Sequence, residues 1–210
     1  MTILPRIAQC MPAKNIVEIA PGWGRWSRFL LENSQNYLGF DISEKAINEC
    51  KKRFCFNKNA KFILSDGKTL LEANDKSVDF VFSMDSLVHA EVDVIEAYIK
   101  EFSRVLSLYG TGFIHHPNMG EHMLKSISNP HQRAYSVSAE IFRNLCEKYD
   151  LKVIVSEKIN WGHSEMNDCF SLFARKERVA QKETVIIENK TFQFEIENAS
   201  RIFNAYHVGF

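Results

Sequence analysis

Apolar positions along this chain follow two rhythms that take turns. Short runs rich in β-branched and aromatic residues, "NIVEIA" (15–20), "NYLGFDI" (36–42), "AKFILSD" (60–66), "SVDFVFSM" (77–84) and "GTGFIHH" (110–116), predict five strands. Between them the spacing lengthens to three and four residues. A helix is predicted from about Gly24 to Glu32, and a second places Ala46, Ile47, Cys50 and Phe54 on one face behind an N-cap at Ser43. Val94, Ile95, Tyr98, Ile99, Phe102, Val105 and Leu106 give a third helix its apolar face. A further helix, from about Ser138 to Tyr149 with Ile141, Leu145 and Cys146 inward, precedes two more strands, "LKVIVSEKI" (151–159) and "DCFSLFARK" (168–176).

Strands that alternate with helices require crossovers that pack back onto a parallel sheet, so the expected fold class is α/β, a doubly wound, mostly parallel sheet in three layers, α/β/α. The last two strands are joined by too few residues for a helical crossover and are expected to pair antiparallel. This core spans 14–176. Residues 1–13 read as a lead-in helix or loop interrupted by Pro5 and Pro12. In residues 177–210, "KETVIIENKTFQFEIEN" alternates apolar and polar positions around Glu188-Asn189-Lys190 and predicts a hairpin extension, a possible pairing strand for a homodimer.

Composition narrows the partners. The 210 residues carry 26 basic and 26 acidic side chains, without the positive field by which proteins displace counterions from nucleic acid, so no nucleic-acid partner is expected. Apolar residues make up 45% of the chain, enough for a sizeable core, yet no run is long enough to span a membrane. Five scattered cysteines without a C-x-x-C pair suggest neither a disulfide framework nor a zinc site. With no leader pattern at the start, the expected setting is cytoplasmic.

The most informative stretch is "VEIAPGWGRWSRFL" (17–30), where a strand runs through glycines into a helix. Gly22 and Gly24 can adopt backbone angles closed to other residues, and free N–H groups at the following helix start suit an anionic group. A dinucleotide turn, G-x-G-x-x-G, fails because Ala20 and Arg25 occupy its first and third positions, and no Lys-Ser/Thr follows for a triphosphate. The pattern instead resembles the class I S-adenosylmethionine-dependent methyltransferases, whose Rossmann-like domain opens with acidic-x-Gly-x-Gly-x-Gly. Here that motif is Glu18-Ile19-Ala20-Pro21-Gly22-Trp23-Gly24, with Ala20 in place of the first glycine. The likeness extends over about residues 14–176. It implies that Asp41, ending the second strand, holds the ribose hydroxyls and Ile42 lies against the adenine; that Asp66-Gly67 touches the adenine edge; and that "DFVFSMDSLVH", with Met84, forms the fourth motif. The implied cofactor is S-adenosyl-L-methionine.

Its sulfonium already activates the methyl group, so the protein must chiefly align an acceptor and exclude water. An alcohol acceptor must also lose a proton, and histidine is the expected base. His89, His115, His116, His122 and His163 all fall at or beyond strand ends; strand alternation sends His115 and His116 to opposite faces. His116, last before Pro117, is the favoured base and His89 the second, with Asp85 as an orienting or substrate-binding carboxylate. Asp85, His116, His163 and Asp168 offer divalent-metal ligand types without local ligand spacing, so no metal is assigned.

The fourth motif lacks the Asn/Asp-Pro-Pro-Tyr of family members that methylate amides and exocyclic amines. Together with neutral charge, this favours a small polar acceptor. The long connection 117–137 reads as a lid or substrate wall in which Arg133 or Lys125 could pair with a phosphate or carboxylate. "DSLVHAE", "GFIHHPN" and "DCFSLFARK" resemble stand-alone bacterial methyltransferases of surface-polysaccharide and modified-sugar synthesis. The substrate this implies is a sugar or a phosphorylated or sugar-linked metabolite, methylated on oxygen. An N-methyltransferase on a small amine and a non-catalytic cofactor-binding scaffold are the alternatives.

Overall fold

A computed structural model describes residues 2–123, 129–162 and 165–206. Eight strands form one sheet in the order β3-β2-β1-β4-β5-β7-β6-β8. β1 (Ala13–Ile19), β2 (Ser34–Asp41), β3 (Ala60–Leu64), β4 (Val78–Ser83) and β5 (Leu106–Pro117) are parallel. β7 (Asp168–Arg175) runs antiparallel to both β5 and β6 (Leu151–Ile159), which is the expected antiparallel pair.

Central strands of such a sheet are covered on both faces and therefore read as unbroken apolar runs. β4 does so: Phe80, Val81 and Phe82 are all fully buried. On one face α4 (Val92–Val105) buries Ile95, Ile99 and Phe102, and α5 (Ala139–Lys148) buries Phe142. On the other, α1 (Leu4–Ile7), α2 (Ser27–Glu32) and α3 (Glu44–Arg53) add Ile7, Leu30 and Ile47 to Phe82, Phe113 and Phe170. The Ser43 cap holds, its hydroxyl accepting the Ala46 N–H at 3.2 Å, and the structure adds a cap on α5, where the Ser138 hydroxyl accepts the Ile141 N–H at 3.2 Å.

Three local expectations change. The helix after the glycines starts at Ser27, because residues 22–26 are spent on turns that carry Gly22 and Gly24 at positive φ. β5 begins at Leu106, four residues before the predicted start. The C-terminal hairpin is overturned: β8 (Val185–Asn189) joins the same sheet parallel to β6, and the chain then enters α6 (Phe192–Tyr206).

The alternation of Phe192, Phe194 and Ile196 looked like a strand, but Phe192 and Ile196 are also one helical turn apart. That pair packs into the second core while Phe194 stays 63% exposed. Asn189 turns the chain, its Oδ1 accepting the Thr191 N–H at 3.1 Å. Arg6 then bridges Glu157 of β6 and Glu195 of α6, at 2.5 and 3.1 Å, so the lead-in and the tail are fastened to one face of the sheet. Among the described residues, β8 ends the sheet with Val185, Ile186 and Ile187 exposed, and no helix is long and apolar enough to cross a membrane.

The helical phase of the tail predicts a contrast. Phe192→Ala should lower the unfolding free energy by about 3–5 kcal/mol, whereas Phe194→Ala should change it by less than about 0.5 kcal/mol. Equal effects in denaturant titrations would contradict the packing of α6.

Candidate functional site: a crevice at the carboxyl ends of the strands

In a doubly wound sheet the ligand crevice lies where the winding reverses, here between β1 and β4. The chain leaves β1 through Ala20, whose φ of +54° lies in the left-handed region that glycine favours. The missing first glycine is thus replaced in side chain but not in backbone conformation. Gly22 (φ +55°) has open space where a Cβ would sit, so a ligand can reach its backbone, whereas Gly24 (φ +77°) turns its Cα against the Phe54 ring.

Two adjoining cavities make up the crevice, sharing walls at Ala20, Asp41, Ile42 and Ser86. One, of about 450 Å³, is lined by Glu18, the glycine turn, Trp23, Arg25, Trp26, Met84 and Asp85. The other, of about 330 Å³, is lined by Asp66, Gly67, Leu87, His89 and Tyr98. Asp41 stands between them. Its buried carboxylate accepts the Gly22 N–H at 3.0 Å and the Ser43 N–H at 2.8 Å, which ties β2 to the glycine turn.

Glu18 is buried and accepts hydrogen bonds from the Tyr37 hydroxyl at 2.5 Å and the Ser27 hydroxyl at 2.7 Å. Burial pushes its carboxyl up to about 7, with both hydroxyls and Arg25 pulling the other way and Asp41 adding to the rise. Ile42 is 70% exposed beside the crevice and offers an apolar surface to a planar ring. Trp23 is 59% exposed, whereas Trp26 packs against Phe82. Asp66 is exposed and accepts the Lys68 and Thr69 N–H groups, which hold its carboxyl below the usual range; it shapes its own turn as well as lining the cavity.

The histidines are placed differently from expectation. His116 is fully buried on the α4 and α5 face of the sheet, outside both cavities, stacked on Phe142 with centroids 4.1 Å apart, and both ring nitrogens are used, by the Pro117 carbonyl and the Ser171 hydroxyl. Burial pushes its pKa down to about 3, so it is a neutral core group and the assignment as base is corrected. His89 lines the smaller cavity, with Nδ1 on the Gln132 carbonyl at 3.1 Å, and so lies on the side away from Met84 and Asp85.

His115, also fully buried and outside both cavities, lies on the opposite face, against Trp161 and Phe170. Its Nδ1 accepts the Asp85 N–H at 3.2 Å and its Nε2 lies 3.1 Å from Asp168. Arg133 is not free for a substrate: it is buried and pairs with Asp168 at 2.8 Å. Burial opposes the charge on Asp168, but His115 and Arg133 outweigh it and hold the carboxyl below its usual range. His163 and Lys125 lie outside the described residues; among the described ones no group of three metal-ligating side chains converges.

Asp85 therefore stands out. At φ +59°, just after β4, it presents a carboxylate that is one-third exposed, with Arg25 3.5 Å away. The sequence named Asp85; its link to His115 joins residues thirty apart and left no local signal.

Residues 16–110 match the methyltransferase domain family. No curated protein matched. A solved structure from Pyrococcus horikoshii is 23% identical with a TM-score of 0.63, over 83% of this chain and 88% of that one. An S-adenosylmethionine-dependent methyltransferase from Clostridium acetobutylicum is 12% identical with a TM-score of 0.64, over 82% and 89%. Another from Methanosarcina mazei is 15% identical with a TM-score of 0.64, over 81% and 97%. Over residues 16–110, then, the chain matches a methyltransferase domain, and its fold is that of solved proteins whose cofactor is S-adenosylmethionine.

The residues present fit that cofactor. Asp41 offers a carboxylate for a vicinal diol, the open backbone at Gly22 and the acidic Glu18 suit an amino-acid end, and the apolar wall of Ile42 and Leu87 suits a base. Asp41→Ala should weaken S-adenosylhomocysteine binding about tenfold, or about 1.4 kcal/mol. Because a cationic ammonium favours ionised Glu18, affinity should rise between about pH 6 and pH 8, as the carboxyl titrates. Glu18→Gln should flatten that rise; calorimetric titration reads both, and unchanged affinity in Asp41→Ala or a pH-independent wild type would contradict the assignments.

Proposed function

We propose that the enzyme methylates a hydroxyl of a small polar acceptor, a sugar or a phosphorylated or sugar-linked metabolite, of the kind used in surface-polysaccharide synthesis. The observation that carries this reading is the Asp85 carboxylate, the acidic group in the wall of the larger cavity on the Met84 side, with Arg25 and the exposed Trp23 in the same wall. Carbohydrates bind through such a set: a carboxylate takes hydroxyl hydrogen bonds, a guanidinium gives them or meets a phosphate, and an indole face covers the apolar side of the ring.

Glu18, the Gly22 turn and Asp41 hold the cofactor's amino-acid and ribose ends, Ile42, Asp66 and Gly67 its base. The cofactor supplies a methyl group activated on a sulfonium. Asp85 then holds the acceptor hydroxyl and takes up its proton, while the crevice walls exclude water. The neutral overall charge supports a small acceptor over a nucleic acid.

Turnover with a labelled methyl donor against sugars, nucleotide-linked sugars, phosphorylated metabolites and amines tests the reading. Transfer to a sugar hydroxyl is expected, and Asp85→Asn should lower kcat by about 10²–10⁴ while S-adenosylhomocysteine binds as before. Transfer only to amines, with Asp85→Asn nearly as active as the wild type, would overturn it, since an amine can shed its proton after transfer.

A further inference from the structure

Asp85 departs from the rest of its strand end in two ways: it is a non-glycine residue in the left-handed region, and its backbone N–H is bonded to a side chain. Left-handed backbone in a residue with a Cβ is strained and persists only where the surroundings enforce it. What enforces it here is a buried chain of polar contacts. Because Nδ1 of His115 accepts from Asp85, its proton sits on Nε2 and is donated to Asp168 Oδ2, 3.1 Å away. Asp168 in turn accepts from Arg133 Nε at 3.0 Å and Nη2 at 2.8 Å. The His115 ring packs against Trp161, tilted at 5.1 Å, and against the edge-on ring of Phe170 at 4.8 Å, and the Arg133 backbone is fastened by Asn129 through bonds of 2.8 and 2.7 Å.

Burying a charged pair is a poor way to gain stability, since apolar side chains of the same volume would do as well or better. This chain of contacts ends on the amide of the crevice residue whose carboxylate faces the acceptor space, and its last guanidinium also lies 3.9 Å from that carboxylate. We infer that His115, oriented by Asp168 and Arg133, is a positioning residue that fixes Asp85 in the backbone conformation from which its carboxylate receives the acceptor. The inference rests on the reading of Asp85 given above. It gives the first histidine of "HHP" a role that needs no contact with substrate, and it resembles the way outer hydrogen bonds orient reactive groups in other sites.

Two substitutions divide the ring's functions. In His115→Asn the side-chain oxygen takes the place of Nδ1 and can still accept the Asp85 N–H; in His115→Gln the amide reaches toward Asp168 and leaves that N–H without a partner. Amide exchange measured with S-adenosylhomocysteine bound needs no acceptor. Exchange at Asp85 should quicken at least tenfold in His115→Gln relative to the wild type, stay within threefold in His115→Asn, and leave the amides of β1 unchanged in both. With a sugar acceptor, His115→Gln should lose kcat more than tenfold at unchanged cofactor affinity, and His115→Asn should restore most of it. Equal exchange or equal turnover in the two variants would overturn the inference. Failure of the Asp85 reading alone would be seen separately, as a fully active Asp85→Asn with the exchange contrast intact.

Discussion

The crevice depends on one contact between a carboxylate and a backbone amide. Asp41, at the end of β2, accepts the N–H of Gly22 and thereby holds the turn after β1 in a shape that leaves its backbone open to a ligand. The same carboxylate accepts the Ser43 N–H, so it also sets the start of α3. Two amide donors offset the cost of burying the carboxylate. The two cavities meet at this residue.

From that point the architecture sorts the work between strand ends. β1 and β2 supply the polar walls of the crevice, Glu18 and Asp41, and β4 leads into Asp85. β5 and β7 lie beside them and carry the buried contacts that hold Asp85 in place. The antiparallel insertion of β7 matters here: pairing Pro117 with Asp168 brings the first residue of β7 under the last residues of β5, which a further parallel strand entering from a helix would not do. The tail adds a strand and a helix on the far side of β6, and Arg6 links it to the lead-in, so both ends of the chain brace the part of the sheet from which Asp168 projects.

Much of this was legible in the sequence because the signals were local. Strand and helix periods, the Ser43 cap and the short loop before β7 are each carried within a few residues, and Ala20 keeps the backbone of the glycine it replaces. The failures share a cause. Alternation says that His115 and His116 face opposite ways but not which one meets Asp85; that follows from the register of β5 against β4 and β7. Arg133 read as a substrate-binding loop cation because its partner, Asp168, lies thirty-five residues on. In the tail, Phe192, Phe194 and Ile196 satisfy both a two-residue and a four-residue period, and the burial of Phe192 against Phe170 decided for the helix.

A crystal structure of the protein with S-adenosylhomocysteine tests the central claim most directly. The account predicts the ribose hydroxyls on Asp41, the amino-acid end against Glu18 and the Gly22 turn, and the sulfur turned toward Asp85. Density for the nucleoside elsewhere, or a sulfur facing away from Asp85 with Asp41 still bound only to its two amides, would contradict it.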